Sequence, residues 1–301
     1  MRYLYWISIV IVSVGTAAVV YGPHTLQGET RVAPFPPRRI VSLTLAADEM
    51  LLALAPPARI AALTRLAGDP RFSNVVAAAR DIPGKVWANG EQVLVFQPDL
   101  VIVAAYTSAT AKRLLREVGI PLLELGRYDS LAAVQENILA LGRAIGELDR
   151  AHSLVADMQR RLQRIRQQVE AAPRPGVVAY AAGGFVAGKG TIFDDMITTA
   201  GGHNLATEAG VIRTKKISQE TLVALNPDVI LVGEDPGHER FRAQLLADPT
   251  LQTVAAIQTG RVQAIPRAHL GTLSHHIIKG VEAMARALHP RVFSSPAERR
   301  G

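Results

Sequence analysis

The feature that most constrains the fold lies in the middle of the chain, where residues 130–170 contain neither a proline nor a run of β-branched residues. Gly142 and Gly146 indicate a break, so this stretch predicts two helices, the second at residues 147–170. At a rise of 1.5 Å per residue that helix is about 36 Å long. Its later half, MQRRLQRIRQQVE, has a thin apolar stripe among charged residues, which is typical of a helix lying across a surface. We therefore expect two halves joined by this helix.

In each half, short β-branched runs alternate with helical patterns, which predicts α/β lobes with parallel sheets built from βαβ units. The predicted strands cover residues 39–45, 60–64, 99–105 and 121–125 in the first half, and residues 176–181, 228–232 and 261–265 in the second. The predicted helices of the halves cover residues 47–54, 108–118 and 274–288. The sequence thus predicts an N-terminal lobe at residues 38–140, an interlobe helical segment at residues 147–172 and a C-terminal lobe at residues 174–292.

One motif occurs in both halves, and it consists of a glutamate, a short helix, Pro-Asp and a buried strand. Its two copies begin at Glu91 and Glu220 and reach their aspartates at Asp99 and Asp228. Proline ends a helix, aspartate suits the turn before a strand, and a negative charge favours the first turn of a helix. From the residues alone, helix-start chemistry in two similar βαβ units explains the motif.

The composition excludes several classes of protein. The chain has no cysteine, so it has neither a disulfide framework nor a thiolate metal site, and no cysteine nucleophile. Its net charge of +7 favours attraction to anionic lipid or to an anionic ligand. The lysines and arginines are scattered rather than gathered into a stripe, so we do not expect nucleic-acid binding. No nucleophile elbow or zinc-protease motif is present, and we expect no enzymatic activity.

The N-terminus has the pattern of an export signal. Met1 and Arg2 supply a positive start, and residues 3–21 carry no charge. Small residues around Ala17 offer a cleavage site, so residues 1–30 are interpreted as a signal peptide. Because the apolar run is close to the ~20 residues that span a bilayer, an uncleaved membrane anchor is the alternative. In both interpretations the rest of the chain is exported.

Several pieces of the sequence occur in an order that resembles a known family. They are RRIVSL followed by Asp48-Glu49, E-x6-PDLVIV, the long central helix, AGGHNL and E-x6-PDVILV, and the resemblance covers residues 38–288. In this order and spacing the chain resembles the class III, helical-backbone periplasmic substrate-binding proteins of ABC importers. These proteins are the receptors for cobalamin, ferric siderophores and haem.

The resemblance implies two Rossmann-like lobes joined by a single long helix, with a ligand cleft between the lobes and a small closing motion. It implies a periplasmic or otherwise extracytoplasmic receptor, expected to be a monomer, that delivers a metal chelate to an ABC permease with its ATPase. In the family, one surface glutamate of each lobe docks onto arginines of the permease. The matching positions in this chain are Glu91 and Glu220.

The candidate ligand-binding residues follow from the rule that open α/β sheets bind ligands beyond the carboxyl ends of their strands. They combine aromatic faces with cations, which suits a flat or bulky chelate of negative charge. The candidates are Arg65, Trp87, Tyr106, Phe185, Arg213, Lys215 and His269. If the ligand is haem, Tyr106 and His269 are the expected iron ligands.

Two hypotheses about function remain at this point. The first is a receptor for an iron complex, either a siderophore or haem, with cobalamin as the near alternative. The second is a membrane-anchored sensory or chelatase-like protein on the same fold. We expect neither a metal site nor a cofactor of the protein's own, although the ligand itself would carry iron or cobalt.

Overall fold

The structure, a computed structural model, describes residues 36–87, 90–234 and 237–294 as an α/β protein with two sheets. The predicted fold of two lobes joined by one long helix is confirmed. The predicted signal peptide or anchor at residues 1–30 lies outside the described residues. Within the part of the chain that the structure covers, no helix combines the length and apolar character needed to cross a bilayer.

The first lobe is built on a five-stranded parallel sheet. Its strands are β1 Ile40–Ser42, β2 Ile60–Thr64, β3 Gly84–Val86, β4 Leu100–Ala104 and β5 Leu122–Leu125, in the order β3-β2-β1-β4-β5. Its helices are α1 Leu45–Leu54, α2 Val76–Ala79, α3 Gly90–Leu94, α4 Ala109–Glu117 and α5 Leu131–Ile145. Every residue of β1 and β4 is buried, as expected for parallel strands covered by helices on both faces.

After the central helix, α6 Leu148–Val169, the second lobe carries a six-stranded mixed sheet. Its strands are β6 Gly176–Ala181, β7 Phe185–Ala187, β8 His203–Asn204, β9 Thr214–Lys216, β10 Val229–Glu234 and β11 Val262–Pro266. The main order is β11-β10-β6-β7-β9, and β8 also pairs with β6. The expectation of purely parallel pairing is wrong at β7, which runs antiparallel to both β6 and β9.

The helices of the second lobe alternate with these strands and close the chain. They are α7 Ile192–Thr199, α8 Leu205–Glu208, α9 Gln219–Leu225, α10 His238–Ala247, α11 Ala255–Gln258, α12 Arg267–Leu270, α13 Ile277–Leu288 and α14 Pro290–Phe293. Of these, α13 packs against α6, α7 and β11, so it lies between the central helix and the sheet.

The central helix α6 packs by one narrow stripe, as its sequence predicts. The buried residues of the stripe recur at intervals of three and four, and they are Ala151, Val155, Met158, Leu162, Ile165 and Val169. The preceding helix α5 is capped by Gly146, whose φ of 73° is left-handed. At Gly142 a Cβ atom would clash with the Cβ of Ala151, so glycine lets α5 and α6 approach closely.

A single apolar core runs through α6 from one lobe to the other. It contains Ile40 and Leu100 from the first sheet, and Val177 and Leu231 from the second, together with the α6 stripe. Each lobe also has a smaller buried cluster of its own. The lobes are therefore packed together along the helix rather than connected by it alone.

The repeated motif has the same local geometry in both lobes. The helices α3 and α9 are each followed by a residue of positive φ, Gln97 at 45° and Asn226 at 42°, directly before the proline. The Asp99 carboxylate accepts hydrogen bonds from the backbone N–H groups of residues 38 and 39, and the Asp228 carboxylate accepts one of 2.7 Å from the N–H of Gly176. Each aspartate therefore ties its own strand to the start of the neighbouring central strand.

Candidate functional site

The carboxyl ends of β2 and β3 place a cation against an exposed indole. Arg65 directly follows β2 and Trp87 directly follows β3, and these strands are neighbours in the sheet. The guanidinium carbon of Arg65 lies 5.5 Å from the centre of the Trp87 ring system, a cation–π distance. Trp87 is 55% exposed, so most of the indole is available for contact with a ligand. The structure thus brings together two of the residues predicted from the sequence.

On the other side of β1, Tyr106 forms an aromatic pair with Tyr128. The two ring centres are 6.3 Å apart, and Tyr106 is 66% exposed. Desolvation raises the pKa of the Tyr106 hydroxyl, against a hydrogen bond with Thr44 that lowers it, so the phenol is protonated at neutral pH. The hydroxyl of Tyr128 is buried with no hydrogen-bond partner among the described residues. Sequence reasoning missed Tyr128, because it follows a short strand with no motif.

Asp48, in the first turn of α1, is a buried acid next to the carboxyl ends of β1 and β2. Its carboxylate accepts hydrogen bonds of 3.2 Å from the backbone N–H of Thr64, and the Thr64 hydroxyl donates a further short one. Burial raises the pKa of Asp48 to about 7, although these hydrogen bonds lower it. The group therefore titrates near neutral pH beneath the carboxyl edge of β1 and β2.

The second lobe contributes the turn after β11, which faces the first lobe. Arg267 and His269 both lie in α12 at the carboxyl end of this strand. The guanidinium carbon of Arg267 is 4.8 Å from the centre of the Phe72 ring, which belongs to the first lobe. Desolvation and the nearby Lys279 lower the pKa of His269, so its imidazole is neutral at pH 7 and has a nitrogen lone pair to offer. Phe72 is a further residue that the sequence did not indicate.

Phe185 lies at the hairpin that joins β6 to β7. It is 46% exposed and pairs with Ala181, the last residue of β6, so it stands at the carboxyl edge of the second sheet. Opposite it on β9 is Lys216 rather than the predicted Lys215, which pairs with Val186 one step further from the edge. At these positions an exposed ring and a lysine border the edge of the sheet.

The predicted ligand residue Arg213 lies at the other end of this ribbon. Its carbonyl accepts a hydrogen bond from the N–H of Gly188, three residues beyond Phe185. Its φ of 60° is left-handed, which is uncommon for a residue with a side chain. The structure does not bring Arg213 to the edge where Phe185 stands, and a role for Arg213 and Lys215 in ligand binding stays a prediction.

The two glutamates of the repeated motif occupy matching places. Glu91 is in the first turn of α3, which follows the outermost strand β3, and Glu220 is in the first turn of α9, which follows the outermost strand β9. Both are exposed. Hydrogen bonding to Ser218 lowers the pKa of Glu220, so its carboxylate is charged at neutral pH. The pair therefore presents acidic groups at the far ends of the two sheets.

Comparison with known proteins finds a matching family model and similar chains. Residues 40–268 match the family model described as periplasmic binding protein. The chain is 29% identical over 206 residues to a cobalamin-binding protein of Halobacterium salinarum, a match that covers 67% of this chain and 56% of that relative's own length. It is 24% identical over 274 residues to the uncharacterized ABC transporter substrate-binding lipoprotein YvrC of Bacillus subtilis, covering 85% of this chain and 82% of that one.

Among solved structures, the periplasmic heme-binding protein RhuT from Roseiflexus sp. RS-1 is similar to this chain with a TM-score of 0.72. The two sequences are 26% identical, and the match covers 85% of this chain and 99% of that one. A match of this extent takes in both lobes and the central helix.

Proposed function

The chain belongs to the periplasmic binding protein family, and we propose that it captures a metal chelate outside the cytoplasm and delivers it to an ABC permease. The ligand would lie in the cleft between the carboxyl edges of the two sheets. We propose an iron complex as the ligand, haem or a ferric siderophore. The partner ATPase would supply the energy of transport, and no chemistry is required of this chain.

One observation carries the proposal: the exposed aromatic side chains of the described residues all stand at carboxyl edges. They are Trp87, Tyr106 and Phe185. Exposing a large ring to water costs free energy of hydration, and contact with a flat ligand recovers it. Arg65 and Arg267 accompany these rings at the same edges. Aromatic faces with guanidinium groups suit a flat chelate that carries carboxylates.

Haem is favoured within this class by two potential iron ligands on opposite lobes. Tyr106 offers a phenol on the first lobe, and His269 offers a neutral imidazole on the second. Cobalamin is the second candidate, supported by the 29% identity to a cobalamin-binding relative. A corrin ring would use the same aromatic faces.

Titration of the purified protein with haemin, cyanocobalamin and a ferric siderophore tests the proposal. The chain has two tryptophans, so in a Trp6→Phe variant the fluorescence of Trp87 alone reports binding. We expect quenching of this fluorescence and a shift in the haemin absorbance band. Replacement of Trp87 or Tyr106 by alanine should weaken binding about tenfold, the scale of one lost aromatic contact.

The matched variant Tyr106→Phe separates the two roles of Tyr106. It keeps the ring and removes the hydroxyl, so it should preserve cobalamin affinity and change the haemin spectrum if the phenol ligates iron. Saturable binding of none of the three chelates would contradict the proposed function.

We further propose that Glu91 and Glu220 dock the protein onto the permease. Two separated carboxylates facing arginine pockets would form charge-assisted bonds and orient the receptor. The double variant Glu91→Lys, Glu220→Lys should abolish uptake and leave chelate affinity within about twofold of the unchanged protein. Glu117→Lys, at an exposed position on α4, is the matched control and should transport normally. A loss of chelate affinity in the double variant would count against docking.

A further inference from the structure

A buried carboxylate, Glu49, joins the two lobes next to the proposed cleft. It lies in α1 of the first lobe and is fully buried. Two hydroxyls of the second lobe donate to the same oxygen, Thr272 Oγ1 and Ser274 Oγ, each at 2.5 Å. Its other oxygen accepts from Asn74, at 2.8 Å from the backbone nitrogen and 3.1 Å from Nδ2. Since a buried charge without hydrogen bonds is very costly, these four contacts depend on both lobes being in place.

Asn74 extends this connection to the turn that faces the cleft. Its Nδ2 donates to the carbonyl of Ala268 at 2.7 Å, and Lys279 Nζ donates to its Oδ1 at 3.1 Å. Ala268 lies between Arg267 and His269 in α12. The side chain of Asn74 therefore connects Glu49 of the first lobe to the backbone that carries two candidate ligand contacts of the second.

The same turn is also held from within its own lobe. A Cβ atom at Gly280 of α13 would clash with the carbonyl oxygen of His269, so α13 lies directly against the turn. Thr272 and Ser274, which bond Glu49, are almost fully buried. The turn is fixed on one side by α13 and on the other by the first lobe.

We propose that Glu49 is a positioning residue for ligand binding, because with Asn74, Thr272 and Ser274 it clamps α12 to the first lobe and so sets the spacing between the two edges of the cleft. The inference rests on the proposed function, since the clamp acts on the residues that would face the chelate. An apolar core such as the one along α6 tolerates small sliding, whereas directional hydrogen bonds to one buried carboxylate specify a single arrangement.

The double variant Thr272→Val, Ser274→Ala tests the clamp, because it removes both hydroxyls and leaves the Glu49 carboxylate in place. The conservative variant Thr272→Ser keeps a hydroxyl at each position and is the matched control. Ile165→Val, in the α6 stripe, is a second control that loosens the shared core without touching the clamp.

Two measurements are made on the full chain. The first is the dissociation constant for haemin, for cyanocobalamin and for a ferric siderophore. The second is the distance between spin labels at Glu117→Cys and Gln244→Cys, on exposed positions of the first and second lobes, which is straightforward because the chain has no cysteine of its own. We expect the double variant to bind about tenfold more weakly and to show a broader distance distribution, while both controls resemble the unchanged protein.

Each other outcome overturns the proposal. Weaker binding with an unchanged distance distribution would mean that the two hydroxyls affect the site without setting the spacing between the lobes. A broader distribution with unchanged affinity would mean that the clamp does not position the site. If the unchanged protein binds none of haemin, cyanocobalamin and the ferric siderophore, the proposed function fails and the positioning role fails with it, and the distance measurement still shows whether the clamp holds the lobes.

Discussion

At the scale of single residues, three ionisable side chains that are largely shielded from water have pKa values shifted in opposite directions. Burial lowers the pKa of His275 and of His276 to about 4, and their rings lie 4.0 Å apart. The positive charges of Lys279 and Arg161 lower both pKa values further. Burial raises the pKa of Asp48 to about 7. These shifts make the stability of the fold depend on pH.

The first prediction concerns this pH dependence. Between pH 6.5 and pH 4 the unfolded chain takes up protons on His275 and His276 that the folded chain does not, so the histidines make stability fall as the pH falls. Asp48 acts in the opposite direction, because from its ordinary value of 3.8 up to about 7 the folded chain retains a proton that the unfolded chain has lost.

Urea unfolding across this pH range measures both contributions. Replacing both histidines by glutamine should leave the opposing effect of Asp48, so that the unfolding free energy falls as the pH rises. Asp48→Asn should make the unfolding free energy rise more steeply with pH than in the unchanged protein. Equal pH slopes in all three proteins would show that these groups are not shifted as described.

At the scale of the elements, the aspartate of the repeated motif has a structural role, in addition to the docking role proposed for its glutamate. The aspartates Asp99 and Asp228 each hold the backbone at the entry to the central strand of their sheet. The same hydrogen-bonding arrangement therefore occurs twice, once at the start of β1 beside β4 and once at the start of β6 beside β10.

The second prediction follows from these bonds. Asp99→Ala and Asp228→Ala should each lower the unfolding free energy by about 1–2 kcal/mol, the loss of hydrogen bonds to a charged acceptor. Because the two sites lie in different lobes, the double variant should show the sum. Asp81→Ala, at an exposed position, is the control for a simple change of charge. Chemical denaturation measures the unfolding free energies of the two single variants, the double variant and the control. A loss of unfolding free energy no larger than that of the control would contradict the role.

How far the sequence predicts these elements depends on where their contacts are made. Local patterns are enough to predict the apolar strands β2 and β6 and the helix α6 with its apolar stripe. Their predicted positions are confirmed at residues 60–64, 176–181 and within one residue of 147–170. The strands β3, β7, β8 and β9 were not predicted. The sequence of β9 is Thr-Lys-Lys, exposed throughout, and only pairing with β7 makes it a strand.

The residues of the candidate site also divide into those that the sequence indicates and those that it does not. Arg65 and Tyr106 were found because each closely follows a predicted strand, and Trp87 was found because it comes just before the first helix of the repeated motif. Glu49 was not, because an acid near the start of a helix is explained by the helix dipole. Its partners Thr272 and Ser274 are more than two hundred residues away along the chain, and no local pattern indicates such a contact.

At the scale of the whole molecule, the shared core along α6 means that the two lobes are not independent folding units. Val177 of the second sheet and Ile40 of the first belong to the same buried cluster as Leu162 of α6. A hinge made of one helix alone would allow the lobes to separate, whereas this packing must be broken before either lobe can unfold.

The third prediction is a single unfolding transition for both lobes. Leu162→Ala should lower the unfolding free energy by about 2–5 kcal/mol, as expected for a buried leucine, and should shift both lobes together. Hydrogen exchange of β4 and β10 through the transition reports the two lobes separately, and Gln163→Ala, its exposed neighbour, is the control. Unfolding of β10 at a lower denaturant concentration than β4 would contradict a shared core.

The position of Glu91 and Glu220 beyond the outermost strands has a mechanical consequence. Because β3 and β9 are edge strands, the two carboxylates stand at the outer tip of each sheet. Any slight rocking of one half against the other is magnified at those tips. A membrane partner that contacts both carboxylates would thereby detect, from the change in the distance between them, whether the receptor is loaded.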